Sequence, residues 1–212
     1  MALKLYGHPI SLCTRRVLLV LAEKNVQYEF QTVNFLIGEH KQSPYKEKLP
    51  FGQIPLLEDG SFSLYESRAI ARYIASRYPE QGTRLIPPAG DVQAWGLFEQ
   101  AASIEYSQFY DIALQVLVQK FFNPSKGIPT DISIYEAAVG KLHAVLDTLN
   151  LLLQEHEYFS GKGFSLIDIF YMPTVGHLVL AGEGAAIESR PNLKAWWTRV
   201  STRESWQHVN QH

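Results

Sequence analysis

Two short apolar runs, Ile54-Pro55-Leu56-Leu57-Glu58 and Ser61-Phe62-Ser63-Leu64-Tyr65, flank Asp59-Gly60. No other stretch restricts the fold as tightly, because Asp-Gly between such runs is a strong short-range hairpin signal. Pro55 has no N–H to give to a central ladder, so it marks an edge, a turn or a cis bond. The backbone groups of Ile54 are then left to pair with something else. Directly after the hairpin, Glu66-Ser67 opens a helix that carries Ala69, Ile70, Tyr73 and Ile74 on one side as far as Tyr78. The first N–H groups of a helix have no partner within it and suit an anion. An extended segment ending at Pro55 and a helix start close behind it together fit a small, charged, peptide-like ligand.

The chain before this hairpin supplies the rest of a sheet. Leu3-Lys4-Leu5-Tyr6 alternates and stops at Gly7, which predicts a short strand and a turn through His8-Pro9. Ser11 stands at an N-cap position, and Val17, Leu18, Val20, Leu21 and Ala22 form the apolar face of a helix ending near Asn25. Tyr28 to Phe35 is aromatic and β-branched and reads as a second strand. Gly38-Glu39-His40-Lys41 opens a polar, irregular or weakly helical stretch that ends at Pro50. The order β-α-β-(α)-β-β-α describes a small mixed sheet with its helices against it, thioredoxin-like in outline.

Pro79, Gln81-Gly82, Pro87-Pro88 and Gly90 then punctuate a linker. The expected organisation is a thioredoxin-like α/β domain over 1–79, a linker over 80–90 and an all-α domain over 91–212. Within the latter, Asp91 to Phe122 is a long aromatic-rich helical stretch, and Asp131 to about Glu155 carries a helical stripe of leucines. Ser165-Leu166-Ile167-Asp168 has the spacing of a reciprocal N-terminal cap, with Phe164 and Ile169 at the staple positions. That helix is expected to run past Pro173 to about Gly182, and Pro191-Asn192-Leu193 to open a last helix with Trp196 and Trp197.

Composition narrows the function. Of 212 residues 46% are hydrophobic and 19% charged, enough for a sizeable core. A net charge of −2 with no basic run gives nucleic acid and anionic membranes no electrostatic hold. Cys13 is the single cysteine, which excludes a disulfide within the chain and a multi-cysteine metal site and fits a reducing compartment. No apolar run approaches the roughly 18–20 residues of a membrane span, and a single cysteine builds no multi-cysteine site, so the expectation is a soluble cytoplasmic protein without a metal.

Candidate chemistry has more than one reading at each position. Ser11 serves as an N-cap, or its hydroxyl donates to a bound thiolate; a serine nucleophile has no Gly-x-Ser-x-Gly elbow to sit on. Lowering a thiol pKa from about 8.5 by about 2 units takes about 2.7 kcal/mol. One hydrogen bond to a charged acceptor supplies roughly 1.5–3 kcal/mol, and a helix terminus up to about 2 kcal/mol. Cys13 is a small helix residue or a reactive thiol forming mixed disulfides, but a Cys-x-x-Cys dithiol is excluded. His40-Lys41 is a solvated pair or a cationic grip on a carboxylate. Glu66-Ser67 is an ordinary first helical turn or an anchor for the ammonium and carboxylate of an amino-acid end.

Taken in order and spacing, several motifs resemble one family over essentially the whole chain. They are Tyr6-Gly7-His8-Pro9, Ser11, Thr14-Arg15-Arg16-Val17-Leu18, Glu23-Lys24, Gly38-Glu39-His40-Lys41, Pro50-Phe51-Gly52-Gln53-Ile54-Pro55, Leu64-Tyr65-Glu66-Ser67-Arg68-Ala69-Ile70 and Phe164-Ser165-Leu166-Ile167-Asp168. The chain resembles the glutathione transferases, in particular the phi class of plants and fungi. That resemblance implies the cytosolic glutathione transferase architecture, usually as a homodimer, with glutathione as co-substrate and no permanently bound cofactor. It implies conjugation to hydrophobic electrophiles and, as a further activity, reduction of organic hydroperoxides. Ser11 then matches the serine that donates to the thiolate. His40 and Lys41 match contacts to the glycyl carboxylate, Gln53 a further polar contact there, Ile54 the backbone pairing with the cysteinyl part, and Glu66 and Ser67 the γ-glutamyl anchors. Phe51 matches an intersubunit contact. By position, Leu12, Phe35, Phe109 and Ile112 would wall the electrophile pocket. Cys13 departs from the serine pattern and leaves open a cysteine-based thiol transferase. A glutathione-dependent carrier of apolar molecules and an interaction domain of translation assemblies are the other classes that use this fold.

Overall fold

Leu3 and Leu5 alternate with more exposed neighbours in β1 (Leu3–Gly7), which places both leucines in the core. The structure, a computed structural model, describes residues 2–161 and 163–210. It divides into two compact units, Met1–Ile86 with Glu204–His212, and Pro87–Arg203. The outer ends of the expected domains, Met1 and His212, lie outside the described residues.

In the first unit, Ser11 caps α1 (Leu12–Glu23), which leads to β2 (Tyr28–Thr32). β1 and β2 are parallel, in register from Leu3↔Tyr28 to Gly7↔Thr32, and a parallel pair requires such a crossover. α2 (Tyr45–Lys48) precedes the hairpin of β3 (Leu56–Asp59) and β4 (Phe62–Tyr65), whose strands pair across Asp59-Gly60. β3 lies antiparallel to β1, giving the strand order β2-β1-β3-β4. α3 (Ser67–Arg77) packs on α1 and buries Ile70, Ala71, Ile74 and Ala75. On this frame Val33, Tyr45, Leu49 and Leu56 form a cluster, with Tyr6, Ile54 and Tyr65 packed against it.

One strand is shorter than its composition suggests. β2 ends at Thr32, not Phe35, because its partner β1 stops at Gly7: Val33 N makes the last bond of the ladder, and the donors beyond it turn elsewhere. Val33 N bonds Gly7 O at 2.8 Å, Asn34 N bonds Glu39 Oε2 at 2.6 Å, and Phe35 enters a 3-10 turn, Phe35–Ile37.

The second unit is helical. Asp91 caps α4 (Val92–Ile104) through Ala94 N, and the same run continues through a π turn (Glu105–Tyr110), α5 (Asp111–Leu117), a second π turn (Val118–Phe122) and α6 (Asn123–Ser125). α7 (Ile132–Leu152), capped by Asp131, buries Ala138, Leu142, Leu146 and Leu149. α8 (Leu166–Leu178) is buried along its whole length. Gly182, at φ +91, breaks the π turn after it (Val179–Glu183) before α9 (Gly184–Glu188) and α10 (Pro191–Ser201). The helix opened by Pro191 is not the last one. α11 (Glu204–Asn210) follows and belongs to the first unit, where Ser205, Trp206 and Val209 are buried.

Asp168 organises the start of α8. Its carboxylate accepts from Ser165 N (2.9 Å), Ser165 Oγ (3.2 Å), Phe159 N (3.1 Å) and Trp196 Nε1 (2.9 Å), while Ser165 Oγ accepts from Ile167 N (3.1 Å). This is the reciprocal cap read from the sequence, with Phe164 and Ile169 both buried. Burial pushes the Asp168 carboxyl up to about 6 against the pull of those donors. A raised pKa means the folded chain holds the proton more tightly than the unfolded one. The group therefore favours folding at low pH, and the gain is lost as pH rises from the ordinary carboxylate range to about 6. Relative to Asp168→Asn, the wild type should lose on the order of 3 kcal/mol over that range. Urea unfolding of both proteins at a series of pH values measures it; stability curves that stay parallel would contradict the assignment.

Candidate active site

Every residue expected to hold glutathione lies in the first unit, at the ends of β1, β4 and the segment joining β2 to β3. β1 ends at Gly7, and His8-Pro9-Ile10 turns the chain into Ser11. Ser11 N donates to His8 O at 2.9 Å and Arg15 N donates to Ser11 O at 2.9 Å. Ser11 Oγ accepts from Thr14 N at 3.3 Å, the ordinary N-cap bond. That bond takes one lone pair of the hydroxyl, and an amide N–H cannot take its proton. Ser11 is half-buried.

Cys13 is in the first turn of the same helix. It is half-buried, and its Sγ lies 3.6 Å from Arg16 Nη1. Arg16 is fully buried, and the same Nη1 donates to Ser67 Oγ at 2.8 Å. One guanidinium thus bridges the N-terminal turns of α1 and α3. Ser67 is buried, and Glu66 before it takes φ +71, ψ 106 as the N-cap without a side-chain cap bond. A non-glycine residue there is strained by of order 1–3 kcal/mol. The strained turn carries the chain from β4 into α3, with Glu66 O receiving Ile70 N at 2.9 Å.

The second cluster comes from the segment after β2. The rings of His8 and His40 flank Phe35, with centroids 5.1 and 6.2 Å away. His40 Nδ1 is buried with no hydrogen-bond partner. Burial, and then Lys41, hold the His40 pKa below its ordinary value, so this side chain is less cationic than the sequence reading assumed. Lys41 Nζ donates to Phe51 O at 3.0 Å. Gly52, at φ +55, lets the two strands of this loop close: a Cβ there would stand 2.7 Å from His40 O and 3.0 Å from Lys41 Cδ. Gln53 is exposed, and its carbonyl accepts from Tyr45 Oη at 2.7 Å. The Ile54–Pro55 peptide is cis, and so is Ser43–Pro44, which the sequence reading did not single out. The β1–β3 ladder ends at the pair Tyr6↔Leu56, so Ile54 lies beyond it with its backbone outside the sheet.

The apolar candidates fare unevenly. Phe35 and Ile112 are half-buried, Leu12 is 5% exposed, and Phe109 is 0% exposed. Phe109 packs against Tyr171, with ring centroids 5.0 Å apart, in the core of the second unit. It has no surface to offer a ligand, so its expected place in a pocket wall is withdrawn. The residue that sequence reasoning missed is Arg16. It stands in the motif Thr14-Arg15-Arg16-Val17-Leu18, but nothing in the sequence gives that arginine a task.

Among the described residues no group of His, Cys, Asp or Glu is placed to hold a metal ion, and no helix is long and apolar enough to cross a membrane. A model of the glutathione S-transferase N-terminal domain matches residues 1–76, and one of the glutathione S-transferase C-terminal domain matches residues 133–199. Glutathione S-transferase PM239X14 of Arabidopsis thaliana is 39% identical over 92% of this chain and 89% of its own. Glutathione S-transferase F6 of the same plant is 34% identical over 98% of each. Among solved structures, glutathione transferase F7 from Populus trichocarpa matches with a TM-score of 0.94 at 35% identity, over 99% of this chain and 98% of that one. The chain belongs to the glutathione S-transferase family. Within that family it is of the phi class.

Proposed function

We propose that this chain conjugates glutathione to hydrophobic electrophiles, with the Ser11 hydroxyl donating to the sulfur anion. The observation that carries this reading is the Thr14 N to Ser11 Oγ bond, which commits a lone pair of the hydroxyl to the helix and leaves its proton for a ligand. The bound thiol gives its proton to solvent. Its sulfur then forms a bond to the electrophilic carbon as the leaving group departs with its electron pair. With a hydroperoxide, attack on oxygen gives a glutathione sulfenic acid and an alcohol.

The remaining groups suit the rest of an anionic tripeptide. The Glu66 carboxylate meets the γ-glutamyl ammonium, and Ser67 meets the carboxylate beside it at the start of α3. Ile54, outside the ladder, pairs its backbone with the cysteinyl residue. Lys41, Gln53 and His40 surround the glycyl carboxylate, and an anion there draws a proton onto His40. Residues 1–79 then make up the glutathione domain, and the helical residues that follow contribute apolar side chains for the electrophile. Leu12, Phe35 and Ile112 remain candidates for apolar contact with it. Cys13 sits beside Arg16 and is not part of this chemistry. The single cysteine suits the reducing cytoplasm.

The test is turnover of a chloronitroaromatic acceptor by wild type, Ser11→Ala and Cys13→Ser. Ser11→Ala should lose most turnover while keeping most of its affinity for glutathione, and Cys13→Ser should stay active. Full activity in Ser11→Ala with a dead Cys13→Ser would replace this mechanism by thiol transfer. Phe51, 66% exposed, is the side chain we place at the contact between two copies. Sedimentation at micromolar concentration should show twice the 24.1 kDa of one chain; a clean monomer would remove the dimer.

A further inference from the structure

We propose that Arg16 is a positioning residue for glutathione: it turns the Ser67 hydroxyl so that its proton faces the γ-glutamyl carboxylate. This inference rests on the reading that Ser67 holds that carboxylate. A serine hydroxyl has one proton and two lone pairs. Arg16 Nη1 occupies a lone pair at 2.8 Å, and a guanidinium has donors only, so it cannot take the Ser67 proton. The O–H is therefore committed to an acceptor elsewhere. That makes Ser67 a donor for a carboxylate, and the ammonium falls to the Glu66 carboxylate, which is an acceptor only. The two neighbouring anchors gain distinct tasks from a residue that touches neither end of the ligand.

Helix stability does not explain Arg16. A cation at a helix N-terminus opposes the macrodipole, yet this one is fully buried against the first residue of α3. Burying a guanidinium is costly, and the planar fork holds its donors in a fixed geometry that a lysine does not have. Ser67 itself is buried, so its rotamer is set by what it bonds rather than by solvent. The neighbouring φ of +71 at Glu66 fixes the backbone of the same turn, so both the frame and the hydroxyl of Ser67 are set before a ligand arrives.

The experiment compares glutathione with 4-aminobutyryl-cysteinyl-glycine, which lacks the γ-glutamyl α-carboxylate. Both dissociation constants are measured on the same preparation, so loss of folded protein cancels in their ratio. Wild type should prefer glutathione by about tenfold or more, the range of a hydrogen bond to a charged acceptor. Arg16→Gln should lose most of that preference, and Arg16→Lys should keep part of it, with the change in KM for glutathione rather than in kcat. Ser67→Ala should also lose it, and adding Arg16→Lys to Ser67→Ala should change the ratio no further. A full preference retained in Arg16→Gln, or in Arg16→Lys if the glutamine variant does not fold, overturns the role of Arg16 alone. A double variant that loses the product of both effects overturns action through Ser67. No preference in the wild type overturns the Ser67 anchor itself and this inference with it.

Discussion

Helix α1 carries buried charge at both ends, and the first unit is assembled around satisfying it. Arg15 Nε donates to Pro9 O and its Nη1 to Asn210 Oδ1, while Arg16 reaches Ser67. At the other end Glu23 accepts from Thr83 Oγ1 at 2.6 Å and Ser205 Oγ at 2.5 Å, and Lys24 Nζ donates to Thr83 O at 3.0 Å. An ionised group taken out of water without partners would cost many kcal/mol, so each of these segments must be in place for the others to be. The turn before the helix, the start of α3, the stretch after α3 and the terminal α11 are thereby tied to one element. The position of Ser11 is a consequence, because the residue that caps α1 is held by everything that holds α1.

The same logic sets the chemistry. Ser11 and Ser67 each accept a hydrogen bond from the protein, one from the Thr14 amide and one from Arg16, at the N-termini of two packed helices. A hydroxyl that accepts from its own scaffold in this way keeps its proton for a ligand, and a helix N-terminus adds to its preference for anions. One site is suited to a sulfur anion and the other to a carboxylate. In the proposed mechanism a hydrogen bond and a helix end together match the roughly 2.7 kcal/mol needed to shift a thiol by about 2 units.

The sequence made the sheet and its helices legible because local rules decide them. Asp59-Gly60 sets the hairpin, Ser11 and Asp131 cap their helices, and Ser165 and Asp168 form their reciprocal cap. What it hid depends on long-range partners. β2 stops at Thr32 because its partner β1 ends at Gly7, and Glu39 then holds Asn34 N in the turn that follows, a bond no propensity registers. α11 joins the first unit through Arg15 and Glu23, far away in the chain. The motif carrying Ser11, His40, Lys41, Gln53, Ile54, Glu66 and Ser67 could be read as a set, but not the state of its members. That His40 is held below its usual pKa, and that Ser67 is already engaged by Arg16, are facts of packing. Phe109 shows the converse, since an aromatic at the expected position turned out to be core.

The chemistry proposed for this chain requires that the Ser11 hydroxyl stabilise the glutathione anion. Ultraviolet absorbance of the thiolate, followed against pH in the complexes of wild type and Ser11→Ala, reads this directly. The bound thiol of the wild type should titrate about 2 units below the ordinary thiol value of about 8.5, and Ser11→Ala should return most of that difference. A wild-type complex that titrates like free thiol, or a Ser11→Ala complex whose titration does not move, would contradict it.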